Sequence, residues 1–450
     1  MEPKLEITNL LKPFLDAIKL FDDERKHLLD IGIGDYLESQ IEKYYYTNTF
    51  IHRSEKVKFY DIYYPLKAVY KDLKTDFKDL NNLFSTYKYI TLIGSAGSGK
   101  TTLMKYIFLQ TIQTSQKIPL LIELRHFNDF KGDFEELISE KVLKTRIKPS
   151  SSTFKRTLEK GSFLFLFDGY DEIVSDKKLE INRQIELFVD SYPMNNFLIT
   201  TRPGSGIESF SRFFDFKVCS LEDEEVEGFI SKIVEEIERR DRIIAVTKDV
   251  ENRNYMEYLR NPLLLSMFIL AFESHPEIPA KKSSFYQNVF DTLYSKHDGI
   301  TKHSFPRERL TKLQKEDFEQ ILNTFSFLSL MAGKISFTHE YLFESFRKIK
   351  EGIELRFRPE DLIVDFHTSI SILILDGFIY AFPHRSLQEY FAAQFISKLP
   401  SEKKERAYRK VNEFFHRLSL DSGKHFFKLC EELDKKFFIQ FFLLPNLECV

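Results

Sequence analysis

The chain has 450 residues, 30% charged and 43% hydrophobic, with a formal net charge of −3. That length accommodates about three domains, and the charge balance argues against a surface coated in basic residues for nucleic acid. Three scattered cysteines, Cys219, Cys430 and Cys449, form neither a disulfide framework nor a metal cluster and suit a reducing cytoplasm. No apolar run reaches the length of a membrane span, and Met1–Glu6 lacks a signal-peptide pattern.

Residues 1–50 read as a small helical segment. Leu10, Leu11, Phe14, Leu15, Ile18 and Leu20 recur at helical spacing, and Gly32-Ile33-Gly34 marks a break. Six Lys/Arg stand there against ten Asp/Glu, so the segment is acidic and too short for a typical catalytic domain. An extended stretch, residues 57–66, leads into a nucleotide-binding domain over 51–220. From about residue 85 strand and helix alternate, which predicts a parallel sheet covered on both faces. The predicted strands are Tyr89–Ile93, Ile118–Leu124, Ser162–Phe167, Phe197–Thr201 and Phe216–Cys219, with helices at Thr101–Gln113, Phe134–Lys144, Thr153–Glu159 and Lys177–Asp190.

Three motifs fall at the C-terminal ends of these strands, where such sheets bind ligands. The first is a complete G-x-x-x-x-G-K-[ST] loop between a strand and a helix. Its residues Gly94, Ser95, Ala96, Gly97, Ser98, Gly99, Lys100, Thr101 and Thr102 form the predicted nucleotide-binding stretch. Glycines let successive backbone N–H groups turn towards phosphate oxygens, the helix N-terminus adds its dipole, Lys100 reaches the outer phosphates, and the Thr101 hydroxyl can ligate Mg²⁺. Second, Phe163–Phe167 delivers Asp168 as a Mg²⁺ ligand. Gly169 leaves room, and Asp171 and Glu172 are carboxylates that could orient or deprotonate an attacking water. Glu172, the longer of the two, is the first candidate. Third, Thr201 and Arg202 end the next strand, within reach of a γ-phosphate that a guanidinium fork suits.

Beyond Ser220 the chain turns helical. Val226, Phe229, Ile230, Ile233 and Val234 mark an amphipathic helix, opening a helical domain over 221–285 that includes Arg260-Asn261-Pro262-Leu263-Leu264-Leu265. A domain over 286–395 ends in Asp376-Gly377 and the strand Phe378–Phe382, read as a hairpin wing. Residues 396–450 read as a short helical extension with eleven Lys/Arg against eight Asp/Glu. No repeat of solenoid or propeller period occurs.

The phosphate loop, Ile118-Pro119-Leu120-Leu121-Ile122-Glu123-Leu124-Arg125, Asp168-Gly169-Tyr170-Asp171-Glu172 and Thr201-Arg202-Pro203 together resemble a NACHT domain of the STAND class of signalling NTPases. Two later motifs extend the resemblance, Asn261-Pro262-Leu263-Leu264-Leu265 and Phe382-Pro383-His384-Arg385-Ser386-Leu387-Gln388-Glu389-Tyr390. The likeness spans about 57–395. It implies an α/β P-loop sheet followed by helical, winged-helix and short C-terminal domains. It further implies that Pro262 packs near the adenine, that His384 reaches the β-phosphate of ADP, and that the segment holding Tyr63 lies against the base. Read without the family, His384 is a structural histidine and Pro262 an ordinary helix-starting proline.

No repeat sensor or death-fold adaptor is present, and the plan resembles the short bacterial NACHT proteins of antiphage defence. That resemblance implies a cytoplasmic ATP/ADP switch that homo-oligomerises on a phage-derived trigger and engages an effector, neither of them identified, with 396–450 as a sensing domain. The alternative is an AAA+-like ATPase acting on nucleic acid through its winged helix. A third reading rests on the R-x₆-H spacing of Arg409 and His416, loosely like HEPN nucleases; Lys410 departs from that pattern, and a solvated helix face explains the spacing better.

Overall fold

The computed structural model describes residues 3–19, 33–47, 51, 57–95, 97–114, 117–128, 132, 134–138, 152–173, 175–203, 205, 207, 210–249, 259–272, 274–277, 279, 281–295, 309–353, 355–370, 372–376, 379–382, 384–417 and 423–447. The chain divides into two compact units, Met1–Glu235 and Glu236–Val450.

The first unit is built on a seven-stranded sheet. Its elements in chain order are α1 (Pro3–Lys19), α2 (Gly34–Tyr45), β1 (Ala68–Tyr70), β2 (Leu73–Thr75), α3 (Leu80–Thr86), β3 (Tyr89–Ile93), α4 (Lys100–Thr114), β4 (Ile118–Glu123), α5 (Ser152–Glu159), β5 (Phe163–Asp168), α6 (Ser175–Ser191), β6 (Asn196–Thr201), β7 (Phe214–Val218) and α7 (Asp223–Ile233). The strand order is β2-β1-β7-β3-β6-β5-β4. The five strands from β7 to β4 are parallel, and β1 and β2 join antiparallel. Parallel strands need crossover connections, which the intervening helices supply. The predicted strands thus occur within two residues of their expected ends. The β1–β2 hairpin is an addition that the sequence reading did not contain. Of the helix predicted over Phe134–Lys144, Phe134–Leu137 is seen, Ile138 follows it, and residues 139–144 lie outside the described residues.

β5 is buried along all six residues, as a central strand covered on both faces must be. Its phenylalanines set the packing. The Phe165 ring stacks on Phe197 of β6 at 5.2 Å and meets Phe188 of α6 edge-on at 5.1 Å. Helix α4 carries the phosphate loop at its N-terminus and is held from outside by the N-terminal segment. Phe108 receives the edges of Tyr36 and Tyr44 from α2, at 6.5 and 5.2 Å. The Tyr36 hydroxyl accepts a hydrogen bond from the Leu121 N–H of β4, the last strand of the sheet.

The second unit contains α8 (Ile237–Lys248), α9 (Pro262–Ala271), α10 (Lys282–Ser295), α11 (Lys315–Met331), β8 (Ser336–Thr338), α12 (His339–Ile353), α13 (Pro359–Val364), β9 (Ile374–Asp376), β10 (Ile379–Ala381), α14 (Arg385–Lys398), α15 (Ser401–Arg417) and α16 (Lys424–Phe438). β8, β9 and β10 form an antiparallel sheet in the order β8-β10-β9. The expected hairpin is therefore β9–β10, and Gly377 and Phe378 between them lie outside the described residues. Asn261 caps α9 by accepting from the Leu263 and Leu264 N–H groups, and Pro262 occupies the first turn, where its missing N–H costs nothing.

Gly161 follows α5 with φ of 72°, and a Cβ there would lie 2.3 Å from the Met194 carbonyl oxygen. A side chain would incur both the left-handed penalty and a backbone clash. Gly161→Ala is expected to lower stability by about 2–5 kcal/mol. Urea unfolding of the full chain tests this, and a midpoint unchanged from the parent would contradict it.

Candidate nucleotide site

The site forms where β3, β6 and β5 end side by side. Between β3 and α4 the chain turns through Gly97 and Gly99, whose φ values of 76° and 86° favour glycine. Two close approaches reinforce the requirement. A Cβ on Gly94 would lie 2.5 Å from the Ser98 hydroxyl, and one on Gly99 would lie 2.4 Å from Leu66. Lys100 donates to the carbonyls of Gly94 and Ser95 at 2.7 and 3.0 Å, so its ammonium is held within its own loop. Burial lowers its pKa, against the raising effect of Asp171, Asp168 and Glu172. Thr101 and Thr102 are exposed at the start of α4, and Ala96 lies outside the described residues.

Asp168 ends β5 with 9% of its surface exposed. Burial raises its pKa, opposed by hydrogen bonds from the hydroxyls of Thr200 and Thr101. The Thr200 hydroxyl donates to Asp168 Oδ1 at 2.5 Å and accepts from the Gly169 N–H at 2.9 Å. That second bond fixes the direction of its proton. Gly169, at φ of 81°, folds the chain back so that the Glu172 carboxyl carbon would stand 3.1 Å from a Cβ at that position. Glu172 is thereby drawn beside the end of β5.

The two acidic candidates separate. Asp171 binds Arg202, its Oδ2 2.9 Å from Nε, with side-chain exposures of only 6% and 12%. Asp171 therefore holds the candidate phosphate sensor, whereas Glu172 lies over Gly169. A strand's alternation also divides the threonines that end β6. Thr201 is the one the strand-end motif places beside the ligand; in the structure Thr200 faces Asp168, and Thr201 donates to Ser205 Oγ at 2.6 Å.

A cation that the sequence reading did not assign also stands here. Arg125 follows the end of β4 and pairs with Glu123, which lies opposite Asp168 in the parallel register. Burial alone would lower its pKa, but Glu123, Glu172 and Asp168 together raise it. The signal was present in the sequence, since Arg125 directly follows a predicted strand, Ile118–Leu124, whose neighbour carries Asp168.

Tyr63 needs correction. Its ring is buried, stacked on Phe59 at 5.0 Å and on Tyr106 of α4 at 4.5 Å, so a base stacking there would displace one of those rings. Its segment does reach the phosphate loop, but through Leu66 against Gly99. Pro262 and His384 belong to the second unit. His384 caps α14, its Nδ1 accepting from the Ser386 N–H at 3.1 Å. That bond places the neutral ring's proton on Nε2, the edge able to donate to an oxyanion.

Residues 88–237, about a third of the chain, match the family model of the NACHT domain. The chain therefore carries a NACHT nucleoside-triphosphatase domain on a P-loop fold. No curated protein matches the chain. Solved structures similar to it include a signal transduction ATPase with numerous domains and a tetratricopeptide repeat sensor from Pyrococcus horikoshii. That match has 13% identity, a TM-score of 0.35, and covers 82% of this chain and 49% of that one. Cdc6p from Pyrobaculum aerophilum has 12% identity and a TM-score of 0.31, over 72% and 94% of the two chains. AMPPCP-bound DnaA from Aquifex aeolicus has 14% identity and a TM-score of 0.28, over 66% and 92%. These scores are low, and the domain match and the site geometry carry the assignment.

Thr200→Val should leave Asp168 unanchored and the Gly169 N–H without its acceptor. Hydrolysis is expected to fall at least about 10-fold, with Thr200→Ser restoring it, because a hydrogen bond to a charged group is worth about 1.5–3 kcal/mol. Steady-state ATPase assays check this; equal rates in Thr200→Val and the parent would refute the role.

Proposed function

We propose that this NACHT-domain NTPase is an ADP/ATP-operated switch. The carrying observation is the buried Arg202–Asp171 pair. A γ-phosphate competes with Asp171 for that guanidinium, whereas ADP leaves the pair intact. Breaking a buried ion pair costs about 3–5 kcal/mol unless a new partner is supplied. Near-complete switching needs about 5.5 kcal/mol of differential binding, which this exchange, the other γ-phosphate contacts and the trigger must supply together.

In this reading Lys100 leaves its loop carbonyls for the outer phosphates. Thr101 and Asp168 hold Mg²⁺, which neutralises phosphate charge when bound. Their hydroxyl and carboxylate oxygens suit that hard cation. Among the described residues no three His, Cys, Asp or Glu are grouped to hold a metal ion. Glu172 orients the attacking water, and His384 and Pro262 help to hold ADP in the resting state. The winged-helix reading is supported by the element order α11-β8-α12-α13-β9-β10 and the sheet order β8-β10-β9. Oligomerisation on activation, an antiphage role with a phage-derived trigger and a downstream effector, and a cytoplasmic location rest on the sequence resemblance. Among the described residues no helix is long and apolar enough to cross a membrane.

The nucleic-acid alternative is less well supported. Pro359–Ser369, which stands where a winged helix presents its recognition helix, carries Glu360 and Asp361 in its first turn and neither Lys nor Arg, while Asp365 is buried. A surface that binds the phosphate backbone needs cations there. The nuclease reading gains nothing either, since Arg409 is exposed and paired with Glu405.

Asp171→Asn should release Arg202 and weaken the distinction between the two nucleotides. The expected result is ATP affinity raised relative to ADP by about 10-fold or more. Competition binding measures the ratio, and an unchanged ratio would show that the pair does not discriminate. Lys100→Ala is expected to abolish protection in a phage-challenge assay while remaining soluble; protection at the parental level would sink the switch.

A further inference from the structure

The helix that begins beside His384 is tied to the C-terminal helical segment by a buried polar chain. Glu389, 1% exposed, lies one turn into α14. One of its carboxylate oxygens stands 3.1 Å from Nε of Arg385, the first residue of α14; the other stands 2.7 Å from Nδ1 of His425 in the first turn of α16. The far nitrogen of His425 lies 3.0 Å from the hydroxyl of Tyr286 in α10, and the Tyr286 ring stacks on Tyr390 at 5.2 Å. His425 therefore joins three helices at a carboxylate that is almost fully buried. Removing one partner of a buried carboxylate leaves a charge that must find another or draw in water. The nearest means of doing so is to loosen the first turn of α14, where Arg385 sits between Glu389 and the His384 cap.

We propose that His425, acting through Glu389 and Arg385, is a positioning residue by which the C-terminal segment, residues 396–450, controls the cap at His384 and so the release of ADP. Displacement of α16 by a partner withdraws His425 and frees the cap, which makes the C-terminal segment an input to the switch. The link to ADP rests on the reading that His384 helps to hold that nucleotide.

The experiment pairs amide hydrogen exchange with fluorescent-ADP dissociation on the full chain. In His425→Phe, exchange of the amides of Ser386–Tyr390 should accelerate about 10-fold or more, with exchange in β3 unchanged. ADP release should rise to about the rate seen in His384→Ala, and the double variant should be no faster than His384→Ala alone. His425→Asn, which puts an N–H donor where Nδ1 stands, should retain slow exchange. Unchanged exchange of Ser386–Tyr390 in His425→Phe, or equal acceleration in His425→Asn, overturns the coupling. If His425→Phe also loosens β3, Glu389→Gln decides: acceleration confined to α14 supports the coupling and none refutes it. Faster exchange in His425→Phe with normal ADP release in His384→Ala would uphold the coupling and overturn the phosphate role of His384.

Discussion

Asp168 is a carboxylate placed at the end of a strand that is buried along its whole length. Taking such a group out of water costs several kcal/mol even after relaxation, and the neighbouring chain has to answer that cost. Thr200 answers from β6, which lies between β3 and β5 and so borders the strand that carries Asp168. Gly169 answers by turning left-handed, which gives Thr200 an N–H to accept and folds Glu172 back over the strand end. The glycine and the threonine thus both serve one buried carboxylate.

The three cations at the strand ends show the same economy. Lys100 is engaged by carbonyls of its own loop, Arg202 by Asp171 and Arg125 by Glu123. Nucleotide binding in this site is therefore an exchange of partners and not the filling of a prepared cavity of bare charges. Exchange makes discrimination between di- and triphosphate a matter of which internal pair is broken.

Much of this was legible in the residues. The strands β3 to β6 were predictable because both their faces are largely buried, which produces apolar runs such as Phe163–Phe167. The phosphate loop was legible because its glycines are required by backbone geometry. The β1–β2 hairpin was not, since three-residue strands around Lys71-Asp72 give no periodicity to read. The division of labour between Thr200 and Thr201, and the pairing of Asp171 with Arg202, were also hidden. Neighbouring residues point to opposite faces or along different turns, and a one-residue uncertainty in a strand end exchanges them. Tyr63 was misread because aromatic residues beside a phosphate loop look alike whether they meet a base or one another, and here Phe59 and Tyr106 supply the stacking. The Glu389–His425 contact joins residues 36 apart in sequence, and nothing local announces it.

The central claim, that the resting protein is held by ADP and released by ATP, is tested most directly by the nucleotide that co-purifies with the full chain and by its mass in solution before and after ATP is added. The account predicts close to one ADP per chain at a single-chain mass, and a shift to a larger assembly with ATP. A nucleotide-free protein whose mass ignores ATP, and whose turnover rises with added nucleic acid and falls steeply with salt, would contradict it.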